Sequence, residues 1–426
     1  FLQAAQHGRI VVEKLTRQQL LEPASLAVEK ALAWVEQARV GGEEKRASVR
    51  LEASLRLMAG EVWHLRSDVR KAELHLQIAL DLSEEILDSM VEGKALLALG
   101  RTYAQQGRAM LAGINFEAAT QVAAGVAGLA VDHTPQEVEP WRQRVMVNAL
   151  QALGELAQDR GDAEASNRHF AEAKEWADDN VELAVRCNLG LSLRYYLRGG
   201  ADKEKALAML AETWDLATSL GDRILMGRVA NNVGIVHFSS GDYEAGLKHF
   251  QRALRVRKGI GYRRGLVVNL HNVGDAQFRL GRKGLAWSAF EESYLLAKEI
   301  GWRKSALLNE AFLVFLRATE VAGLDIGKPT LDAEFSEKVE DPSEMTRDLE
   351  RIARESDTLP APLSAAVARW LTGRLLIGVQ HIGAAIDVLQ VAHQNALSVN
   401  EMAFLRDVES DLEVARALHQ KSKPVS

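Results

Sequence analysis

Asn188, Asn232, Asn272 and Asn309 each stand two residues ahead of a small residue, namely Gly190, Gly234, Gly274 and Ala311, and they recur about every forty residues. A primary amide carries a donor and an acceptor, so one such side chain can pair with both polar groups of a passing peptide bond. Each hydrogen bond contributes roughly 0.5–1.5 kcal/mol net, so four give useful affinity and leave specificity to the groups around them. The competing use of the same amide is a hydrogen bond to a neighbouring helix that fixes repeat register. Asn is a mediocre helix former, and Met58, Ala98 and Ala152 hold the corresponding place elsewhere, so the scaffold itself does not demand it.

Other chemistry finds no footing. The eleven histidines are scattered, with no H-E-x-x-H pair and no two placed four apart on one helix. A G-x-x-x-x-G-K-S/T phosphate loop is missing, and "GIGYRRG" at Gly259 resembles a dinucleotide fingerprint only superficially, with the wrong glycine spacing and no preceding strand. Cys187 is the single cysteine, which excludes a disulfide framework and a cysteine-rich zinc site and fits a reducing, cytoplasmic setting. No catalytic residue, metal or cofactor is expected, and the chain reads as a non-enzyme. A net charge of −6 lacks the basic excess that nucleic acid requires. No apolar run is long enough to span a bilayer.

The elements that position the amides follow from self-similarity. Aligning Gly234 with Gly274 brings Gly241 onto Gly281, Phe250 onto Phe290 and Leu254 onto Tyr294. The turns at Gly221, Gly261 and Gly301 keep the same spacing. One helix carries a small residue where it crosses its partner, then a large apolar residue, then a Gly or polar turn. The second helix carries small, bulky and small residues in succession. Gly60, Trp63, Ser67, Ala72, Leu76 and Ala79 fit, as do Gly100 to Ala119, Gly154 to Ala173, and Gly373 to Ala392. Gly190 to Leu210 fits with a longer turn at Gly199-Gly200, and Ala311 opens a weaker unit. Glycine in a helix costs about 1 kcal/mol against alanine, so its recurrence predicts close helix crossings filled by Tyr103, Phe116, Phe170, Phe250 and Phe290.

This small-large-small series resembles the tetratricopeptide repeat family over roughly residues 43–320 and again 363–420. The forty-residue spacing is similar to the long variant of cell-polarity adaptors and of bacterial signalling proteins, where such arrays follow a kinase or a nucleotide-binding switch domain. The resemblance implies an all-α solenoid of helix hairpins, a right-handed superhelix whose concave groove is lined by the first helix of each pair. It also implies that the asparagine position points into that groove. Around the ladder, Asn231, His271 and Asp275 lie close by. Arg228 lies one turn earlier on the groove face, and Arg194, Tyr195, Phe238, Phe278 and Arg279 lie toward the helix ends. Arg194, Arg228 and Arg279 give the groove a basic tint, for which an acidic, carboxylate-bearing segment is the complement.

The expected organisation is an N-terminal helical pair or cap over 1–42, a repeat array over 43–322, and an acidic irregular insertion over 323–362. A C-terminal repeat with a capping helix over 363–420 and a frayed tail over 421–426 complete it. None of the eight prolines is expected inside a helix; Pro135 and Pro140 mark longer helices plus an extended loop. Ser343 and Thr346 suggest a capped short helix to about Arg354. The insertion reads as solvated, with a docking element or a groove plug as the alternative. The basic run from Arg252 to Arg264 reads as a solvated outer face, with RNA or phospholipid contact as the remote alternative. The functional expectation is a protein–protein interaction module binding an extended peptide or partner segment. The alternative is a sensor acting in cis on other domains of a longer signalling chain, prompted by a start at Phe1 without Met.

Overall fold

The computed structural model shows what the recurrent glycines are for. A side-chain carbon added at Gly274 would lie 2.7 Å from Phe290 Cδ1, and one at Gly154 would lie 2.9 Å from Phe170 Cε2. Gly60, Gly100, Gly234 and Gly373 meet Leu76, Phe116, Phe250 and Leu389 in the same way, at the same sequence separation in all six pairs. The bulky partners are almost wholly buried, so the packing gained offsets the helix penalty of the glycine.

The structure describes every residue except 19, 41–44, 126–133, 161, 178–179, 181, 184–186, 190–202, 326–340, 360–361, 400–401 and 422–426. Among the described residues there are eighteen long helices and no strand. The first pairs are α1 (Leu2–Arg17) with α2 (Leu21–Val40), α3 (Lys45–Leu65) with α4 (Val69–Ile86), and α5 (Ser89–Gln105) with α6 (Ala109–Gly125). Next come α7 (Pro135–Asp159) with α8 (Ala163–Ala177), then α9 (Lys203–Ser219), preceded by short described helical stretches that include Cys187 and Asn188. The series continues with α10 (Arg223–Ser239) and α11 (Tyr243–Lys258), α12 (Arg263–Arg279) and α13 (Lys283–Glu299), and α14 (Arg303–Ala322). It closes with α15 (Ser343–Asp357), α16 (Pro362–Gly378), α17 (Ile382–Val399) and α18 (Met402–Lys421). No helix among the described residues is long and apolar enough to cross a membrane.

Helix ends follow the sequence closely. Gly107, Gly241 and Gly281 turn from first to second helix with positive φ, and Gly221, Gly261 and Gly301 do so between pairs. Ser67, Leu87 and Gln380 adopt the same left-handed conformation without being glycine. Asp68, Asp88, Asp162, Asp222 and Asp242 each accept backbone N–H groups of the following first turn.

The chain forms two compact units. The first comprises Phe1–Ser192, Met209–Gly227 and Arg255–Arg264; the second comprises Leu193–Ala208, Arg228–Leu254 and Gly265–Ser426. The first unit is cored by Leu76, Leu99, Phe116, Trp141, Val145 and Leu183, with Cys187 beside them. Cys187 Sγ lies 3.6 Å from the Ala173 carbonyl. Burial pushes its thiol up to about 11, against the smaller opposing pull of Gln151 and Lys174. The second unit is cored by Phe278, Phe290, Phe312, Phe315, Trp370 and Leu389.

Four expectations need correction. Pro140 lies inside α7, which absorbs part of the extra length as helix. The helix starting at Ser343 is fastened by Asp341, whose carboxylate accepts the Ser343 N–H and hydroxyl at 2.9 Å each; Thr346 Oγ1 instead donates to Pro342 O. This same helix, α15, is no solvated appendage. Thr346, Leu349, Ile352 and Ala353 are buried, and Arg351 bonds Glu310 of α14 at 2.6 Å. Finally, Arg257 is buried over Gly227 and Tyr262 rather than solvated.

Candidate functional site

The register of the first helices decides which side chains share a face. In the first unit an open cleft of about 650 Å3 is lined by residues of α1, α3, α5 and α7. Met58 and Ala98, two residues ahead of the crossing glycines Gly60 and Gly100, lie on its wall. Glu61 and Arg101 follow those glycines and also face the cleft, with Trp141 of α7 among the apolar residues. Burial holds the Glu61 carboxyl above the usual carboxylate range, although Arg101 and Lys94 pull it down. His64, one turn along α3, lies 3.2 Å from Thr102 Oγ1. Burial, then Arg264 and Arg101, depress its pKa from 6.5 to about 3, so it is neutral at physiological pH.

The same register in the second unit carries Asn232, Asn272 and Asn309, and the asparagines divide by what their amides touch. Asn231 is buried, and its Oδ1 accepts from Asn269 Nδ2 at 2.8 Å and from Asn272 Nδ2 at 2.9 Å. Asn309 is 0% exposed; its Nδ2 donates to Ser305 O at 2.7 Å and its Oδ1 accepts from His271 Nδ1 at 3.1 Å. Asn231 and Asn309 therefore tie α10 to α12 and α12 to α14, which is the register use of the amide. Asn272 is half-buried and spends one donor on Asn231. Asn232 is half-buried, and its amide has no hydrogen-bond partner among the described residues. Asn188 is half-buried and belongs to the first unit. Arg194 and Tyr195 lie outside the described residues. Arg228 is exposed on α10.

His271 sits against Phe290 and Phe312, with centroids 5.6 and 5.8 Å away. Burial lowers its pKa, while Asp275 and the Asn309 bond act the other way. The Nδ1 proton is required to satisfy the Asn309 carbonyl oxygen, which fixes the tautomer.

Arg279 is not the free cation of a groove wall. Its Nε donates to Asp275 Oδ1 at 3.2 Å and its Nη1 to Asp407 Oδ2 of α18 at 2.6 Å. The guanidinium lies 5.1 Å from the Trp370 ring centre and 5.9 Å from that of Phe238. Burial alone would depress its pKa, but Asp275 and Asp407 outweigh it and raise the value above the ordinary one. Two carboxylates therefore already face this residue, Asp275 of α12 and Asp407 of α18. Beside it, Asp411 Oδ2 accepts from Trp370 Nε1 at 2.7 Å and lies 3.5 Å from Arg374 Nε. Burial raises the Asp411 pKa and lowers that of Arg374.

Sequence reasoning missed Asn269, Trp370, Arg374, Asp407 and Asp411. Asn269 was detectable, since it lies one turn before Asn272 on the face that meets α10. No group of three or more His, Cys, Asp or Glu among the described residues could hold a metal ion.

A family model described as tetratricopeptide repeat matches residues 225–299. Over that stretch the chain carries tetratricopeptide repeat sequence. Most of this chain also aligns with solved structures. NprR in complex with its cognate peptide NprX is 13% identical with a TM-score of 0.52, covering 91% of this chain and 98% of that one. A Rap protein complexed with competence and sporulation factor is 14% identical with a TM-score of 0.50, covering 99% and 100%. A signal transduction ATPase with a tetratricopeptide repeat sensor, from Pyrococcus horikoshii, is 15% identical with a TM-score of 0.47, covering 89% and 55%. At these identities the likeness to NprR and Rap is one of fold. No curated protein matches the sequence.

Proposed function

We propose that this tetratricopeptide-repeat chain is a protein-interaction module that holds an extended segment of a partner on the inner face of its first helices. The observation that carries the proposal is the shared register. The place two residues ahead of the crossing glycine lines an open cleft in the first unit, and in the second it holds Asn232, an amide with no hydrogen-bond partner among the described residues. A half-buried amide with a donor and an acceptor unspent is suited to one peptide group of an extended segment. Two proteins of the same fold, solved with competence and sporulation factor and with a cognate peptide, support a binding role over a catalytic one.

Within the ladder the contact role narrows to Asn232, assisted by the second donor of Asn272 and by Arg228; Asn188 supplies the corresponding amide in the first unit. Asn231, Asn309 and His271 hold the repeats that carry them. Display selection of peptides on the immobilised chain, followed by titration against variants, tests the reading. Asn232→Ala is expected to weaken a selected peptide roughly 2- to 10-fold, the equivalent of one hydrogen bond, without moving the melting temperature. Failure to select any peptide, or affinities untouched by both Asn232→Ala and Met58→Lys, sinks the proposal.

A further inference from the structure

The cleft of the first unit, about 650 Å3 in volume, falls within the ~300–1,000 Å3 of ordinary ligand sites. Its wall is largely apolar. Leu57 and Met58 of α3, Val91 and Leu97 of α5, and Trp141 and Val145 of α7 supply it. The Trp141 Nε1 proton is already spent on Met90 O at 3.1 Å, so the ring offers the cleft only its hydrocarbon. Most charged groups around the opening are matched within the protein. Arg9 pairs with Glu13 at 3.6 Å and Arg144 with Glu182 at 3.9 Å. Glu137 accepts from the Thr134 N–H at 2.9 Å, and Arg101 Nη2 donates to Asn148 Oδ1 at 2.9 Å. Glu61 of α3 and Lys94 of α5 are the exceptions. Both line the cleft, and neither makes a hydrogen bond or an ion pair among the described residues.

We propose that Glu61 and Lys94 clamp the backbone of one uncharged residue of a partner segment, whose apolar side chain fills the space beside Trp141. The N–H of that residue donates to the Glu61 carboxylate, and its C=O accepts from the Lys94 ammonium. This rests on the reading of the first helices as the binding face, and it names what the first unit recognises there. Charge selects the occupant. A carboxylate brought to Lys94 would be repelled by Glu61, and a cation brought to Glu61 would be opposed by Lys94 and Arg101. A peptide group carries a donor and an acceptor without net charge, so it meets both ends at once. In an extended residue the two point to the same side, as in a hydrogen-bonded antiparallel pair. Bonds to charged partners are also stronger than those between neutral ones. Glu61 is half-buried, and burial holds its carboxyl above the usual range against the pull of Arg101 and Lys94. A donor from the segment therefore replaces hydration that this carboxylate has already partly lost. Glu61 lies one turn after Met58, and Lys94 one turn before Ala98, the places that Asn232 and Asn272 occupy in the second unit. An acid and a base thus do in one unit what amides do in the other.

Display selection on the intact chain supplies the probes, namely peptides whose binding is lost with Met58→Lys. In each, backbone amides are replaced one at a time by esters, which remove a single N–H, and affinities are read by fluorescence anisotropy. One ester is expected to weaken binding to wild type roughly 10-fold, and binding to Glu61→Leu less than about 2-fold. The ester at the following position leaves a poorer carbonyl acceptor, and its effect should disappear in Lys94→Met instead. The residue between those two positions should be uncharged and apolar in the selected sequences. Equal ester effects in wild type and both variants overturn the proposal, as does selection of Asp, Glu, Lys or Arg at that place. Should Glu61→Leu not fold, the exposed Lys94 carries the test, since Lys94→Met leaves the interior untouched. Peptides weakened by Asn232→Ala but indifferent to Met58→Lys would remove the clamp and leave the module reading standing; no selectable peptide would remove both.

Discussion

Four side chains of one type, at one place in successive repeats, do different work because of what lies across from them. Asn309 is closed on both sides, by Ser305 O and by His271, whereas the Asn232 amide has no hydrogen-bond partner among the described residues. Asn309→Ala should cost about 1–3 kcal/mol in urea denaturation, since it strands the buried His271 N–H. Asn232→Ala should stay within about 0.5 kcal/mol of wild type. Leu87 offers the opposite case. It is 82% exposed and held at φ 55° in a turn where other repeats place glycine. Leu87→Gly is expected to stabilise by about 1 kcal/mol, seen as a raised denaturation midpoint. His64 carries a pH signature. Its folded pKa is depressed from 6.5 to about 3, so the unfolded chain takes up a proton that the folded one refuses. Stability from this group is full above pH 6.5 and falls toward pH 3, by at most roughly 1.4 kcal/mol per pH unit. Glu61, with its raised pKa, works in the other direction as pH falls. The difference between wild type and His64→Asn across that window isolates the histidine; identical pH profiles would refute its role.

At the scale of helices, the hairpin is the unit that sequence describes well. Crossing glycine and bulky partner lie on the two helices of one hairpin, so their pairing leaves a regular spacing, and all six pairs occur where the spacing places them. Gly274→Ala should destabilise by about 2 kcal/mol through overpacking on Phe290. Adding Phe290→Leu should recover part of it, because Gly60 and Gly373 already cross leucines; no recovery would point to strain in the backbone instead. The elements that were not legible depart from the repeat. Pro140 sits in an extended helix because α7 runs to 25 residues. The helix α15 looked solvated because its buried stripe, Thr346, Leu349, Ile352 and Ala353, is narrow and surrounded by charge. Its start was misjudged since an aspartate two residues earlier caps as well as a serine at the first position.

Across the whole chain, what decided the candidate site was long-range. Arg279 and Asp407 are 128 residues apart, and no periodicity links a first helix of the array to the final helix. The basic tint expected of Arg279 is therefore met inside the chain by Asp275 and Asp407. The division into two units has the same character, since the first and second units share α9 to α12 by chain path. Asp411 gives the largest expected effect on this scale. Asp411→Ala leaves Arg374 and Trp370 Nε1 without their buried acceptor and should cost about 3–5 kcal/mol, measured by denaturant unfolding of the intact chain. A loss below 1 kcal/mol would mean that water replaces the carboxylate.

One consequence concerns the lone sulfur. A thiol raised to about 11 is about one part in ten thousand ionised at neutral pH, and maleimides react with the ionised form. Dyes or spin labels should accordingly attach to a cysteine introduced at an exposed place such as Met110, with the native one left in position. Distances within either unit can then be followed during ligand titrations without first re-engineering the background.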